Sequence, residues 1–282
     1  MKASVVLCVL FLVVILWVLV MNLPPSKENL VLNADALKEV KFQAEIANLS
    51  YNTETDPSTI TRWAKSQGMV FDPSSDSFTD LNTNTSFICL RKSLGGGKLA
   101  VYLGFRGTII TSLADIEEDL DMSMAYFYGT KVSNGFLKSW LALRQFVVTL
   151  LARYRPEKVY ITGHSLGASI AALAAVDLRM SFDITSTLYT FASPRTGDMA
   201  FVDLFRSTLG ESYRVEGIDD PIPRFPTLYQ GYAHIPTQIL LEEGKCTVGG
   251  PVPENYPWNI SYHFLSTYIF LLNSLPLTGC AE

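Results

Sequence analysis

Histidine and cysteine are scarce in this chain, with three and four copies among 282 residues. The histidines, His164, His234 and His263, lie far apart and no C-x-x-C occurs, so neither a zinc site nor any other metal is expected. Charge is sparse as well: 17% of residues carry it, with a net charge of −5, and nothing points to nucleic acid. Residues 3–21 contain no charged residue, and no A-x-A cleavage pattern closes the run. The apolar core of a signal peptide spans about 7–15 residues, whereas about 20 apolar residues cross a bilayer. An uncleaved signal-anchor with Lys2 on the cytoplasmic side is the first reading and a cleaved signal peptide the second. Both place the remainder in the secretory lumen or outside the cell.

That compartment suits two further features. Asn48-Leu-Ser, Asn84-Thr-Ser and Asn259-Ile-Ser are N-glycosylation acceptors. Beyond the apolar run only Cys89, Cys246 and Cys280 remain, enough for one disulfide and one thiol left over. The pairing stays open, with Cys246 and Cys280 the first candidates because both belong to the C-terminal region.

What the chain has in quantity is apolar residues, 48% of the total, enough to fill a sizeable core. Residues 1–21 are the signal-anchor or signal peptide, 22–34 a linker with two adjacent prolines, and 35–282 the folded domain. Within it, Lys158 to Met180 organises the rest. Val159-Tyr-Ile-Thr162 favours a strand, and the alanine-rich run from Ala168 to Leu178 favours a helix. Between them lies Gly163-His-Ser-Leu-Gly167, a G-x-S-x-G sequence at a strand-to-helix junction. A serine on such a turn is held out at the end of the sheet in a strained conformation, beside the unpaired N–H groups of the helix N-terminus. Ser165 is therefore the candidate nucleophile.

Other segments sort around it. Residues 35–51 have helical apolar spacing. SFICLR at 86–91 and KLAVYLGF at 98–105 read as a hairpin joined at Leu94-Gly-Gly-Gly. The second strand runs into Phe105-Arg-Gly-Thr108, where Thr108 offers a backbone N–H and a hydroxyl just past a strand end, alongside the N–H of Leu166. Ile109 to Leu120 has an apolar stripe opposite Asp115, Glu117, Glu118 and Asp119, which fits a lid helix or a plain surface helix. Residues 132–156 read as a long helix burying Leu137, Trp140, Leu141, Leu143, Phe146, Val147, Leu150 and Leu151, ended by Pro156. Strands near 185–191 and 212–215 follow, with a helix from Asp198 between them. This alternation implies a largely parallel sheet with helices on both faces. Asp219 and Asp220 fall at a strand end in a proline-rich loop, where a carboxylate can orient an imidazole. His263 and His234 both follow in the order Ser, Asp, His, and position alone leaves either as the base. The side chain of His164 is expected to point away from the site.

Six pieces of this sequence resemble the class 3, or fungal-type, triacylglycerol lipases: Phe105-Arg-Gly-Thr108, Val132-Ser-Asn-Gly-Phe136, Val159 to Gly167, Thr190-Phe-Ala-Ser-Pro-Arg-Thr-Gly197, Asp220-Pro-Ile-Pro-Arg-Phe-Pro226 and Gly231-Tyr-Ala-His234. The resemblance implies an α/β-hydrolase fold and an ester hydrolase with no cofactor, acting on lipid esters at a membrane or lipid–water interface. It implies Ser165 as nucleophile, Asp220 as acid, His263 as base, Thr108 and Leu166 as the oxyanion hole, His234 as structural, and Ile109 to Leu120 as the lid. Departures are Ile116 where a tryptophan is usual, Asn134 near a usual histidine, Ala168 for a second glycine, and Tyr262-His-Phe-Leu-Ser around the base. Three functions compete: a lipase on acylglycerols, an esterase on soluble or phenolic esters, and a non-catalytic module binding lipid or a partner. The sequence sets no oligomeric state.

Overall fold

The structure, a computed structural model, describes residues 32–107, 121–249, 259–276 and 280. The segment 1–21, most of the 22–34 linker, Thr108 and the Ile109–Leu120 segment lie outside the described residues.

The N-terminal helix α1 (Ala34–Leu49) is capped by Asn33, whose side chain accepts from the Ala36 N–H, and runs on into a short 3-10 turn, Ser50–Asn52. Helix α2 (Pro57–Ser66) starts with Asp56 as cap and a proline in its first turn, where no N–H is needed. Strands β1 (Met69–Val70) and β2 (Ser77–Asp80) pair with β3 (Thr85–Gly95), which forms the expected hairpin with β4 (Lys98–Phe105) through the glycine turn. A separate hairpin, β5 (Met124–Phe127) and β6 (Thr130–Ser133), precedes helix α3 (Asn134–Tyr154). Then come β7 (Lys158–His164), α4 (Leu166–Phe182), β8 (Thr187–Phe191), α5 (Met199–Thr208), β9 (Glu211–Gly217), β10 (Gln238–Glu242), β11 (Lys245–Val248) and α6 (Leu265–Ser274).

The main sheet runs β1-β3-β4-β7-β8-β9-β10-β11 with β2 on β3. Its central strands, β4 through β10, are parallel to one another, while both flanks are antiparallel. The expectation of a largely parallel sheet thus holds for the centre, and hairpins supply the edges. Side-chain alternation divides the core into two layers. Phe87, Cys89, Val101, Leu103 and Phe105 face α3 and α4, whereas Ile88, Leu90, Ala100 and Tyr102 face α1 and α2. Helix α6 joins α1 on that second face.

The long helix starts at Asn134 because Val132 and Ser133 are spent in the β6 ladder, with Ser133 capping the Phe136 N–H. Trp140, Leu143, Val147, Leu150 and Leu151 are buried as expected, with Phe136 beside them, but Leu137 is half-buried and Leu141 and Phe146 are 55% and 44% exposed. Phe146 instead stacks on Phe78 at the surface. Cys246 and Cys280 are joined by a disulfide, which ties β11 to the C-terminal segment. Cys89 is a buried free thiol.

Candidate active site

Strand β7 delivers Ser165 to the C-terminal edge of the parallel strands, and α4 begins at the next residue. Ser165 takes φ 58° and ψ −129°, a strained conformation for a residue with a side chain, of order 1–3 kcal/mol. The glycines on either side follow from close approach. A Cβ on Gly163 would overlap the Gly167 carbonyl, and a Cβ on Gly167 would overlap that of Phe105 at the end of the neighbouring strand. Strand, elbow and helix therefore close on one another only with glycine at both places.

His263, at the end of a 3-10 turn (Ile260–His263) before α6, places Nε2 2.8 Å from Ser165 Oγ. Its Nδ1 lies 3.0 and 3.2 Å from the two carboxylate oxygens of Asp220, just beyond β9. A carboxylate only accepts, so Nδ1 carries the imidazole proton and Nε2 is left to accept the serine hydroxyl. All three residues are buried, between 1% and 2% exposed. The structure thus brings Ser165, Asp220 and His263 into one hydrogen-bonded row. Asp219 is not part of it.

Around the row stand groups that the sequence did not single out. Tyr268, on α6, donates to Asp220 Oδ2 at 2.7 Å, and the Ile222 N–H donates to Oδ1 at 2.9 Å. Burial, with the Asp220 carboxylate beside it, raises the Tyr268 pKa well above the ordinary phenol value, so it stays a donor. The loop after β9 is clamped from outside: Arg224 donates to the Ile218 carbonyl, and Arg195 to those of Arg224 and Pro226. His234 lies in this support. Its Nε2 donates to the Pro223 carbonyl at 2.5 Å and sits 3.4 Å from Glu216, which also pairs with the buried Arg214. Burial, then the guanidinium groups of Arg214 and Arg195, hold its pKa well below the usual imidazole value, and among the described residues no hydrogen bond joins it to Ser165 or Asp220.

His164 is buried, but it does not point away from the site: its ring lies 4.8 Å from that of His263, with Nδ1 on the Tyr51 hydroxyl and Nε2 on the His263 carbonyl, both at 2.7 Å. Burial, then the charge of His263, depresses its pKa well below the usual range. Leu166 opens α4, so its N–H has no helical acceptor of its own and is available to an anion beside Ser165. Thr108 lies outside the described residues. Its predecessor Gly107 packs against the elbow, where an added Cβ would meet the His164 carbonyl at 2.5 Å and Ser165 Cβ at 3.1 Å. No cluster of potential metal ligands occurs among the described residues.

Set beside known proteins, residues 102–230 match the family model described as Lipase (class 3). The chain is 34% identical over 135 residues to secreted mono- and diacylglycerol lipase 1 of Fusarium solani, covering 45% of this chain and 38% of that one. It is 35% identical over 150 residues to a lipase of Rhizomucor miehei, covering 50% and 41%. The chain therefore spans roughly two fifths of the length of these curated relatives. Among solved structures, a lipase from Rhizopus microsporus var. chinensis superposes with a TM-score of 0.66 at 23% identity, over 90% of this chain and 91% of its own. That likeness shows the α/β-hydrolase fold, and the family match shows the resemblance to the class 3 lipases.

Proposed function

We propose that this chain, with its class 3 lipase region at residues 102–230, is a serine carboxylic-ester hydrolase acting on acylglycerols. The observation that carries the reading is the 2.8 Å contact of His263 Nε2 with Ser165 Oγ, backed by Asp220 on Nδ1. His263 takes the serine proton as Oγ attacks the ester carbonyl, and Asp220 holds the imidazolium. The tetrahedral oxyanion is met by the N–H of Leu166 and by Thr108, each such donor contributing about 3 kcal/mol. His263 then protonates the leaving alcohol, and water attacks the acyl-enzyme by the same route in reverse. The sequence uses a proton relay and N–H donors alone, so no metal or cofactor enters. The Ile109–Leu120 segment is the lid in this reading.

The names of the curated relatives favour glycerides over soluble esters and a secreted or extracellular setting. The Cys246–Cys280 disulfide and the exposed Asn48, Asn84 and Asn259 agree with an oxidising, glycosylating compartment. We read residues 1–21 as the signal-anchor or signal peptide that takes the chain there. Hydrolysis of matched short soluble and long emulsified acyl esters, with Ser165→Ala as control, tests the substrate class. Preference for the emulsified long chain supports the lipase, confinement to short soluble esters moves the assignment to an esterase, and no turnover on either refutes hydrolysis.

A further inference from the structure

Beside the reacting atoms, with the His164 ring 4.8 Å from that of His263, runs a second line of hydrogen bonds. The acceptor at its end is the backbone carbonyl of His263, 2.7 Å from His164 Nε2. A carbonyl only accepts, so Nε2 of His164 carries the proton and Nδ1 is bare. Nδ1 therefore accepts the hydroxyl proton of Tyr51 at 2.7 Å. On its other side the Tyr51 oxygen packs against the backbone of Gly107, where an added Cβ would lie 2.6 Å from it. The line reads Tyr51 O–H to His164 and His164 N–H to the carbonyl of His263, with Gly107 packed against the Tyr51 oxygen. It thus runs between the residue before Thr108 and the residue that carries the base.

We propose that Tyr51 and His164 are positioning residues, a relay that holds the base-bearing turn and the oxyanion side of the site in one register. The inference rests on the ester-hydrolase reading above. His164 is buried and Tyr51 half-buried, and neither touches Ser165 Oγ through any hydrogen bond among the described residues. They are contributed by unrelated parts of the chain: Tyr51 by the 3-10 turn after α1, His164 by the last position of β7, 113 residues later. The N-terminal helix, whose other visible task is to cover the sheet, thus reaches the catalytic centre through one hydroxyl. The direction of the protons is fixed only while His164 is neutral, which its burial ensures. A protonated His164 would present N–H to Tyr51, and that hydroxyl would lose its acceptor.

The test compares Tyr51→Phe, His164→Gln and His164→Leu with the wild-type full chain on a short soluble p-nitrophenyl ester, with fluorophosphonate labelling rates and thermal unfolding measured in parallel. Glutamine offers one amide acceptor and one amide donor, as the neutral imidazole does; leucine offers neither. Tyr51→Phe is expected to lower kcat and the labelling rate together by about tenfold, the effect of one hydrogen bond, with KM within about twofold. His164→Gln should recover part of what His164→Leu loses. Wild-type kcat in folded Tyr51→Phe, or losses that track only the unfolded fraction, would overturn the relay. Should Tyr51→Phe fail to fold, the His164 pair decides: equal kcat in the Gln and Leu variants overturns it. Absence of labelling and turnover in the wild type would instead overturn the hydrolase reading on which it rests.

Discussion

Tyr268 donates its phenolic proton to Asp220 at 2.7 Å while the same oxygen accepts the N–H of Gly217 at 2.9 Å. One hydroxyl thus joins the carboxylate to the end of the strand that carries it. Replacing Tyr268 with Phe leaves a buried N–H without its acceptor and the carboxylate without one of its donors. The expected cost is about 1–3 kcal/mol of stability, with kcat lower by about tenfold. Urea unfolding and steady-state kinetics on the same preparation check both, and unchanged stability would contradict the geometry.

Asp220→Asn keeps the shape of the acid but removes the charge that fixes the His263 tautomer. Turnover should fall by about 10⁴-fold with folding intact. A loss below tenfold would remove Asp220 from the role of acid.

Gly107→Ala puts a methyl 2.5 Å from the His164 carbonyl and 2.6 Å from the Tyr51 hydroxyl. The carbonyl is backbone at the elbow and cannot swing away, so the strain is expected to cost about 1–3 kcal/mol and at least about tenfold in kcat. Gly210→Ala is the control, since nothing lies within 4 Å of its added Cβ. Equal behaviour of the two variants would refute the close approach.

The pH dependence of stability follows from His164 and His234, both held well below the ordinary imidazole value of 6.5 by burial. In the unfolded chain they bind protons below about pH 6.5, whereas in the fold they stay neutral. The unfolded state therefore gains protons as pH falls, and stability declines from about pH 6.5 downward, by up to about 1.4 kcal/mol per pH unit for each histidine. Thermal unfolding at pH 7.5 and 5.5 should give a lower Tm at 5.5. A higher Tm at 5.5 would mean that one of these rings is charged in the fold.

The disulfide spans 34 residues and encloses the turn bearing His263. Cys280→Ser should lower stability by up to about 4 kcal/mol through the unfolded chain's regained freedom, while leaving most of kcat at low temperature. A Tm unchanged by reduction would show that the crosslink contributes nothing.

How far the sequence could be read depended on whether the signal was local. The strand, the elbow and the alanine-rich helix sit side by side in the chain, so the spacing of Gly163, Ser165 and Gly167 announces the turn that the backbone then adopts. The hairpin through Leu94-Gly-Gly-Gly was legible for the same reason. Asp220 and His263 could be nominated by chain order, but only folding brings them within 3.2 Å of each other across 43 residues. Tyr51 and Tyr268 were invisible, because a tyrosine that donates to a buried acceptor looks no different in sequence from the other tyrosines among thirteen. Leu141 and Phe146 misled because helical spacing defines an apolar stripe and not its width; the strand surface under α3 covers only its inner part.

The most direct measurement is reaction of the full chain with a fluorophosphonate, followed by mapping of the adduct. The account predicts a single adduct on Ser165, absent from Ser165→Ala and accompanied by loss of ester hydrolysis. An unlabelled Ser165 in folded protein, or hydrolysis that survives Ser165→Ala, would contradict it.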